Sequence, residues 1–277
     1  AGPARLSSIL YEPEKPSKST VILIPQGAGG LSEGDHDYNP LAQKLMDAGY
    51  ALLLTNMRTA NGGGFYTLFE TAKDDIAAAI KLMKDRGYTE IVLLGTSLGG
   101  PRGAYYYAQT HDDSIKGFVF LASITSPYLE RTVRRTRQQL AQFDKILDSA
   151  RDLIAQGKGY EPVCFTMMMD KNEGFTMAGG EELPCDKPGE GITLSADSFV
   201  NHFGTPDECK ATSTKWTDTF DFPTAVVHSI NDEVSYPPVA QAIYDSLVNA
   251  PRRDLIWLDD AEVSHYLSKG LAANRYA

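Results

Sequence analysis

The chain of 277 residues lacks features that would each indicate a particular class of protein. No apolar run is long enough to cross a bilayer, so the sequence predicts no transmembrane segment. Positive charge is scarce, because 26 Lys and Arg stand against 36 Asp and Glu, and the formal net charge is −10. This balance argues against a nucleic-acid partner and against binding to an anionic membrane surface.

Cysteine is also scarce, and all three cysteines lie in the second half of the chain: Cys164, Cys185 and Cys209. Their spacing matches no zinc pattern and no paired histidines accompany them, so no metal is expected. One disulfide is possible, with three alternative pairings, and three free thiols are an equal alternative. A disulfide would indicate an exported protein, which favours a periplasmic or secreted location over a cytoplasmic one.

The sequence does contain a glycine-flanked serine between a predicted strand and a predicted helix. The apolar run from Ile91 to Leu94 is typical of a strand buried on both faces, and Gly95-Thr96-Ser97-Leu98-Gly99 follows it directly. A serine on so sharp a turn has a strained backbone and a hydroxyl that projects clear of the main chain. Side chains at Gly95 and Gly99 would collide in this geometry. A chance serine in an ordinary turn is the alternative.

Strand-like and helix-like segments alternate in both terminal parts of the chain, which predicts a mainly parallel central sheet flanked by helices. The predicted strands span residues 8–11, 20–25, 51–55, 91–94, 117–123, 224–230 and 254–258. The alternation stops in the middle, where residues 128–156 predict one long helix or a helix pair and residues 157–221 have no clear period. We therefore expect an α/β core of residues 1–127 and 222–277, with residues 128–221 inserted as a cap after the sixth strand.

An acid and a histidine follow later strands of the same pattern. Asp232 comes directly after the predicted strand at 224–230, and His265 lies a few residues past the last strand. Because parallel strands end at one edge of a sheet, both side chains are expected near Ser97. A serine needs a base, and the base needs a carboxylate, for nucleophilic catalysis. Glu233 could replace Asp232; taken singly, Asp232 could cap a helix and His265 could be a surface histidine.

Two backbone amides are needed to bind an oxyanion, and the sequence offers candidates for both. Leu98, directly after the serine, supplies one amide, and the glycine-rich loop after the second strand supplies the other, with Ala28 preferred and Gly27 next. A merely flexible loop is the alternative. Substrate contacts are expected from Gln26, Phe65, Tyr66 and Met168, although Met168 could equally belong to the core of the cap.

Together these motifs resemble the α/β-hydrolase superfamily, specifically its serine ester hydrolases with an inserted cap. The resemblance covers residues 5–127 and 222–275 and rests on the motifs 95–99, 231–232 and 264–266. It implies Ser97 as nucleophile, Asp232 as acid and His265 as base. Such proteins often have His-Gly in the oxyanion loop, where this chain has Gln26-Gly27, so the resemblance leaves acyl recognition open.

The function expected from these residues is hydrolysis of a small-molecule carboxylic ester through an acyl-enzyme, without a cofactor. A lactonase, thioesterase, amidase or acyltransferase would share the same machinery. A non-catalytic ligand-binding protein or receptor on the same fold is the alternative from another class, although it would have no need of all three residues. The oligomeric state is not predicted.

Overall fold

In a computed structural model of the chain, apolar runs form the strands at the centre of the molecule, and helices with one apolar face cover them. The structure describes residues 5–27, 38–60, 67–134, 136–166, 183–185, 192–232, 234–259 and 265. The strands in this part of the chain are β1 (Ser8–Tyr11), β2 (Ser19–Ile24), β3 (Ala51–Thr55), β4 (Glu90–Thr96), β5 (Ile115–Leu121), β6 (Pro162–Thr166), β7 (Leu183–Pro184), β8 (Ile192–Ser195), β9 (Thr224–Ser229) and β10 (Arg253–Leu258). The helices are α1 (Asn39–Asp47), α2 (Ala72–Asp85), α3 (Gly99–Thr110), α4 (Pro127–Arg134), α5 (Arg137–Ala155), α6 (Ala196–Phe203) and α7 (Pro237–Ser246).

Seven strands form the main sheet, in the order β1-β3-β2-β4-β5-β9-β10. β1 pairs with β3 in antiparallel orientation, and the other five pairings are all parallel. The predicted mainly parallel sheet is confirmed. Parallel strands need a crossover connection, and the helices that make these crossovers cover the sheet.

The side chains of β2 show how the sheet is buried on both faces. Ile22 and Ile24 belong to a core shared with α2, α3 and α7, whereas Val21 and Leu23 belong to a second core shared with α1. Because successive residues of a strand point to opposite faces, a continuous apolar run fits a strand that is covered on both sides. The helices therefore flank the sheet, as the sequence predicted.

Residues between β5 and β9 form a separate cluster of elements. The expected long helix or helix pair is a pair, α4 and α5. The second helix begins with a capping box, in which the Thr136 hydroxyl accepts from the Gln139 amide at 3.3 Å and the Gln139 side chain accepts from the Thr136 amide at 2.9 Å. Five strands, not six, precede this segment in the described part of the chain.

The segment has a small sheet and a core of its own. β6 pairs with β7 and β8 in antiparallel orientation. A disulfide joins Cys164 to Cys185, and Cys209 is a buried thiol. Helices α5 and α6 pack with β6 around apolar side chains, among them Phe143, Ile146, Leu147, Val163, Phe165 and Phe199. The assignment of residues 128–221 as a cap stays a prediction.

Helix α6 is attached to the segment that leads into α2. The Ser198 hydroxyl donates to the Thr67 carbonyl at 3.0 Å, and the Phe69 amide donates to the Asn201 side chain at 2.6 Å. The Asn201 amide group donates to Glu70 at 3.1 Å. These bonds fix the middle segment against the main sheet on the side of α2. Among the described residues, no helix is long and apolar enough to span a membrane.

Candidate active site

The serine at the predicted turn lies between β4 and α3 in a strained backbone conformation. Ser97 has a φ angle of +50°, which is uncommon for a residue with a side chain. Its amide donates to the Leu121 carbonyl at 3.2 Å, and its carbonyl accepts from the Gly100 amide at 3.1 Å. The Ser123 hydroxyl donates to the same carbonyl at 3.0 Å. These contacts hold Ser97 in its strained conformation. Backbone strain of this kind is often found at functional residues.

The glycines around Ser97 are required by close backbone contacts. A Cβ atom on Gly95 would lie 2.6 Å from the Cα of Gly100, and one on Gly99 would lie 2.1 Å from the Ile24 carbonyl oxygen. Both contacts are with backbone, which cannot move aside as a flexible side chain can. The prediction that side chains at Gly95 and Gly99 would collide is confirmed. Because these residues have no side chains, α3 can begin directly against the end of β2.

Asp232 and His265 are in direct contact. The Nδ1 atom of His265 lies 2.9 Å from Oδ2 and 3.2 Å from Oδ1 of Asp232, and both residues are buried. The Asp232 Oδ1 atom also accepts from the amides of Val234 at 2.8 Å and Ser235 at 2.7 Å. The carboxylate therefore contacts the histidine ring and stabilises its own loop at the same time.

A chain of hydrogen bonds connects the Ser97 turn to the Asp232 loop. Ser123 donates to the Ser97 carbonyl, and the Ser123 carbonyl accepts from the Ser235 hydroxyl at 2.9 Å. The Ser235 amide in turn donates to Asp232, and its hydroxyl lies 2.9 Å from a carboxylate oxygen of Glu130 on α4. Since β4, β5 and β9 are parallel neighbours, their carboxyl ends lie at one edge of the sheet and these loops meet there.

His228 is a further buried histidine beside the acid, and its contact with the acid loop was missed by the sequence. Its Nε2 atom donates to the Ser235 carbonyl at 2.8 Å and lies 3.5 Å from Oδ2 of Asp232. Burial lowers the pKa of His228, so its ring is neutral at neutral pH. Its position in β9, four residues before the acid, was the available signal for this contact.

The loop after β2 is bound by a buried arginine that the sequence also missed. Arg102 on α3 donates to the carbonyls of Pro25 at 3.0 Å and Gly27 at 2.8 Å. Gly27 has a φ angle of +52°, where glycine is favoured. Leu98 immediately precedes the first residue of α3, so its amide lies at the positive end of the helix dipole.

Several predicted residues fall outside the described part of the chain. These are Ala28 of the oxyanion loop, the alternative acid Glu233 and the predicted substrate contacts Phe65, Tyr66 and Met168. Gln26 is described and is half-buried. Within the described residues, no group of three or more His, Cys, Asp or Glu side chains could hold a metal ion.

Comparison with known proteins identifies the fold to which this site belongs. A sequence model described as the alpha/beta hydrolase fold matches residues 20–156, a span that includes β2 to β5 and the Ser97 turn. The chain has the α/β-hydrolase fold. No curated protein sequence matches this chain significantly.

Solved structures resemble this chain over nearly its whole length. The monoacylglycerol lipase of Paleococcus ferrophilus has 16% identity and a TM-score of 0.64, with 98% of this chain and 95% of that chain covered. Est1E from Butyrivibrio proteoclasticus, with ferulic acid bound, has 17% identity and a TM-score of 0.60, covering 98% and 90%. The esterase domain of a Rhodothermus marinus protein has 15% identity and a TM-score of 0.55, covering 98% and 94%. At these identities the likeness concerns the fold.

Proposed function

We propose that this α/β-hydrolase cleaves carboxylic esters through a serine acyl-enzyme, with Ser97 as nucleophile, His265 as base and Asp232 as acid. The observation that carries the proposal is the Asp232–His265 hydrogen bond of 2.9 Å, on a loop connected to the strained Ser97 turn. Because the Asp232 carboxylate accepts the Nδ1 proton of His265, Nε2 is the ring nitrogen that can accept the serine proton. The esterase and lipase names of the structural neighbours support the same chemistry.

In the first half of the reaction, Ser97 Oγ attacks the ester carbonyl carbon while Nε2 of His265 takes the hydroxyl proton. Asp232 stabilises the imidazolium that forms. The Leu98 amide and an amide of the loop after β2, from Ala28 or Gly27, bind the oxyanion. When the tetrahedral intermediate collapses, the carbon–oxygen bond to the alcohol breaks and His265 protonates the departing alcohol.

In the second half, His265 removes a proton from water, which attacks the acyl carbon. The second tetrahedral intermediate releases the carboxylic acid and returns the proton to Ser97. Thioesters, lactones and amides could react by the same steps. An ester is proposed because an alcohol leaves more readily than an amine, and because the neighbours carry esterase and lipase names.

Residues 128–221 are proposed to act as the cap that selects the substrate, on the core of residues 1–127 and 222–277. Two observations support this role for the segment: its separate apolar core around Phe143 and Phe199, and the buried hydrogen bond between Ser235 and Glu130 of α4. In this proposal Phe65, Tyr66, Met168 and Gln26 contact the substrate. The Cys164–Cys185 disulfide supports a periplasmic or secreted location, which fractionation of the source cells would test.

The test is Ser97→Ala with Ser17→Ala as control, because Ser17 is exposed and distant in sequence from the turn. Short p-nitrophenyl esters report turnover, and a fluorophosphonate probe reports an activated serine hydroxyl. We expect Ser97→Ala to lose about 10³-fold or more in kcat and all labelling, while Ser17→Ala retains both. Equal hydrolysis by the two variants would refute the proposal. Wild-type protein that binds esters but is neither labelled nor active would favour the receptor alternative.

A further inference from the structure

Arg102 is a charged side chain buried directly behind the Ser97 turn. It lies in the first turn of α3 and is 2% exposed. A buried guanidinium is costly unless its donors and its charge are satisfied. Burial lowers the pKa of Arg102 to about 10, and Asp75 opposes that shift, so the side chain remains positively charged at neutral pH. The protein therefore maintains a full positive charge at this point.

The hydrogen bonds of Arg102 are directed at one loop. Nη1 donates to the Pro25 carbonyl at 3.0 Å and Nη2 donates to the Gly27 carbonyl at 2.8 Å. The two carbonyls lie on either side of Gln26, so the planar guanidinium bridges the start of the loop. A lysine could not reproduce this contact, because its ammonium is a single point donor without the fixed fork geometry.

The hydrogen bond from Arg102 to the Gly27 carbonyl has a consequence for the proposed oxyanion hole. In a trans peptide the C=O and the N–H of one unit point in opposite directions, and the N–H that shares this unit is that of residue 28. A bond to the Gly27 carbonyl therefore acts on the peptide unit that carries the amide preferred as the second oxyanion donor. A cation bound to the carbonyl also polarises the unit, which makes its N–H a stronger donor.

We infer that Arg102 is a positioning residue for the oxyanion hole, aligning the loop amide from behind through the Gly27 carbonyl. The inference rests on the proposed function. Arg102 and Leu98 belong to the same helix end, so α3 contributes one oxyanion donor directly and orients the other through a side chain. Such an arrangement sets both donors relative to Ser97 before the substrate arrives, which is what electrostatic stabilisation of a transition state requires.

The test compares Arg102→Lys and Arg102→Met with Arg58→Met. Arg58 is the matched control, because it pairs with Asp75 at 2.7 Å but makes no hydrogen bond to the described carbonyls of Pro25 and Gly27. For each protein, near-UV circular dichroism checks the fold, p-nitrophenyl acetate gives kcat and KM, and an aryl trifluoromethyl ketone gives an inhibition constant. The ketone forms a tetrahedral oxyanion on the serine, so its affinity reports the oxyanion hole.

We expect both Arg102 variants to lose about 10²-fold in kcat, with KM changed less than about threefold, and to bind the ketone weaker by a similar factor. Arg58→Met is expected to keep kcat within about threefold. Folded Arg102 variants with unchanged kcat and ketone affinity would overturn the inference. Loss of folding in both Arg102 variants, with Arg58→Met folded, would assign Arg102 to stability and overturn it as well. Absence of turnover and labelling in wild-type protein would instead refute the proposed function.

Discussion

Replacing Asp232 by Asn tests the proposed acid without removing the contacts that stabilise its loop. Asp232 Oδ1 accepts the Val234 and Ser235 amides at 2.8 and 2.7 Å, and an asparagine oxygen can accept both. The other atom, now an NH₂ group, faces His265 Nδ1, where Oδ2 lies at 2.9 Å. Because that group can only donate, Nδ1 must become the acceptor and the ring proton moves to Nε2. The ring then cannot accept a proton from Ser97.

The expected loss in kcat is about 10⁴-fold, the size found when a triad aspartate elsewhere becomes asparagine. This equals roughly 5 kcal/mol of transition-state stabilisation. The free energy of unfolding should fall by much less, about 1.5–3 kcal/mol, because one charge-assisted hydrogen bond is weakened and both loop bonds remain. Asp232→Ala, which removes all of these bonds, should destabilise the protein more while reducing kcat by a similar factor.

The assay measures kcat with p-nitrophenyl acetate and the free energy of unfolding in urea for Asp232→Asn, Asp232→Ala and Glu233→Gln. Glu233→Gln is the control, since Glu233 is the neighbouring carboxylate that could replace Asp232 as the acid. A kcat within about tenfold of wild type for folded Asp232→Asn would refute the reasoning. A large loss in Glu233→Gln alone would transfer the acid role to that residue.

Two further predictions concern stability. Burial lowers the pKa of His202 to about 4, so the unfolded chain binds a proton near pH 6.5 that the folded chain does not, and stability falls as pH decreases. Between pH 7 and pH 5, wild type should lose about 2 kcal/mol more than His202→Asn, as measured by urea unfolding at each pH. The Cys164–Cys185 disulfide spans 21 residues, and replacing both cysteines by serine should lower the free energy of unfolding by about 3 kcal/mol.

Each of these stability predictions has a control. Replacing the exposed His111 by Asn is the control for the histidine substitution. An equal change of the free energy of unfolding with pH in wild type and His202→Asn would contradict the first prediction. Reductant should destabilise wild type but not the double serine variant. If both respond equally to reductant, the disulfide contributes nothing to stability and the second prediction is wrong.

Local patterns in the sequence were sufficient for the main sheet. The apolar run of β4 and its glycine-flanked serine predicted a buried strand and a tight turn, and the structure gives Ser97 a φ angle of +50° with no room for side chains at Gly95 or Gly99. The contact between Asp232 and His265 followed from position alone, because parallel strands end at one edge of the sheet. These predictions depend only on neighbouring residues and on the formation of the sheet, so they did not require knowledge of the other tertiary contacts.

The sequence did not predict the contacts between distant segments of the chain. Arg102 lies in the helix predicted after Ser97, but the sequence did not single it out. Its hydrogen bonds to Pro25 and Gly27, which are 77 and 75 positions earlier, depend on how α3 packs against the end of β2. The choice of Cys164 and Cys185 among three possible pairings depends on the antiparallel strands β6 and β7. The middle segment showed no period because its strands are short and its core is shared by two helices.

The sequence by itself determined the type of turn at Ser97 and the order of the three predicted catalytic residues, because sterics and strand periodicity are local properties. The tertiary structure decided what surrounds them: His228 and Ser235 beside the acid, Glu130 linking α4 to the acid loop, and Arg102 behind the loop after β2. These partners are specified by packing across the sheet, where residues far apart in the chain become neighbours.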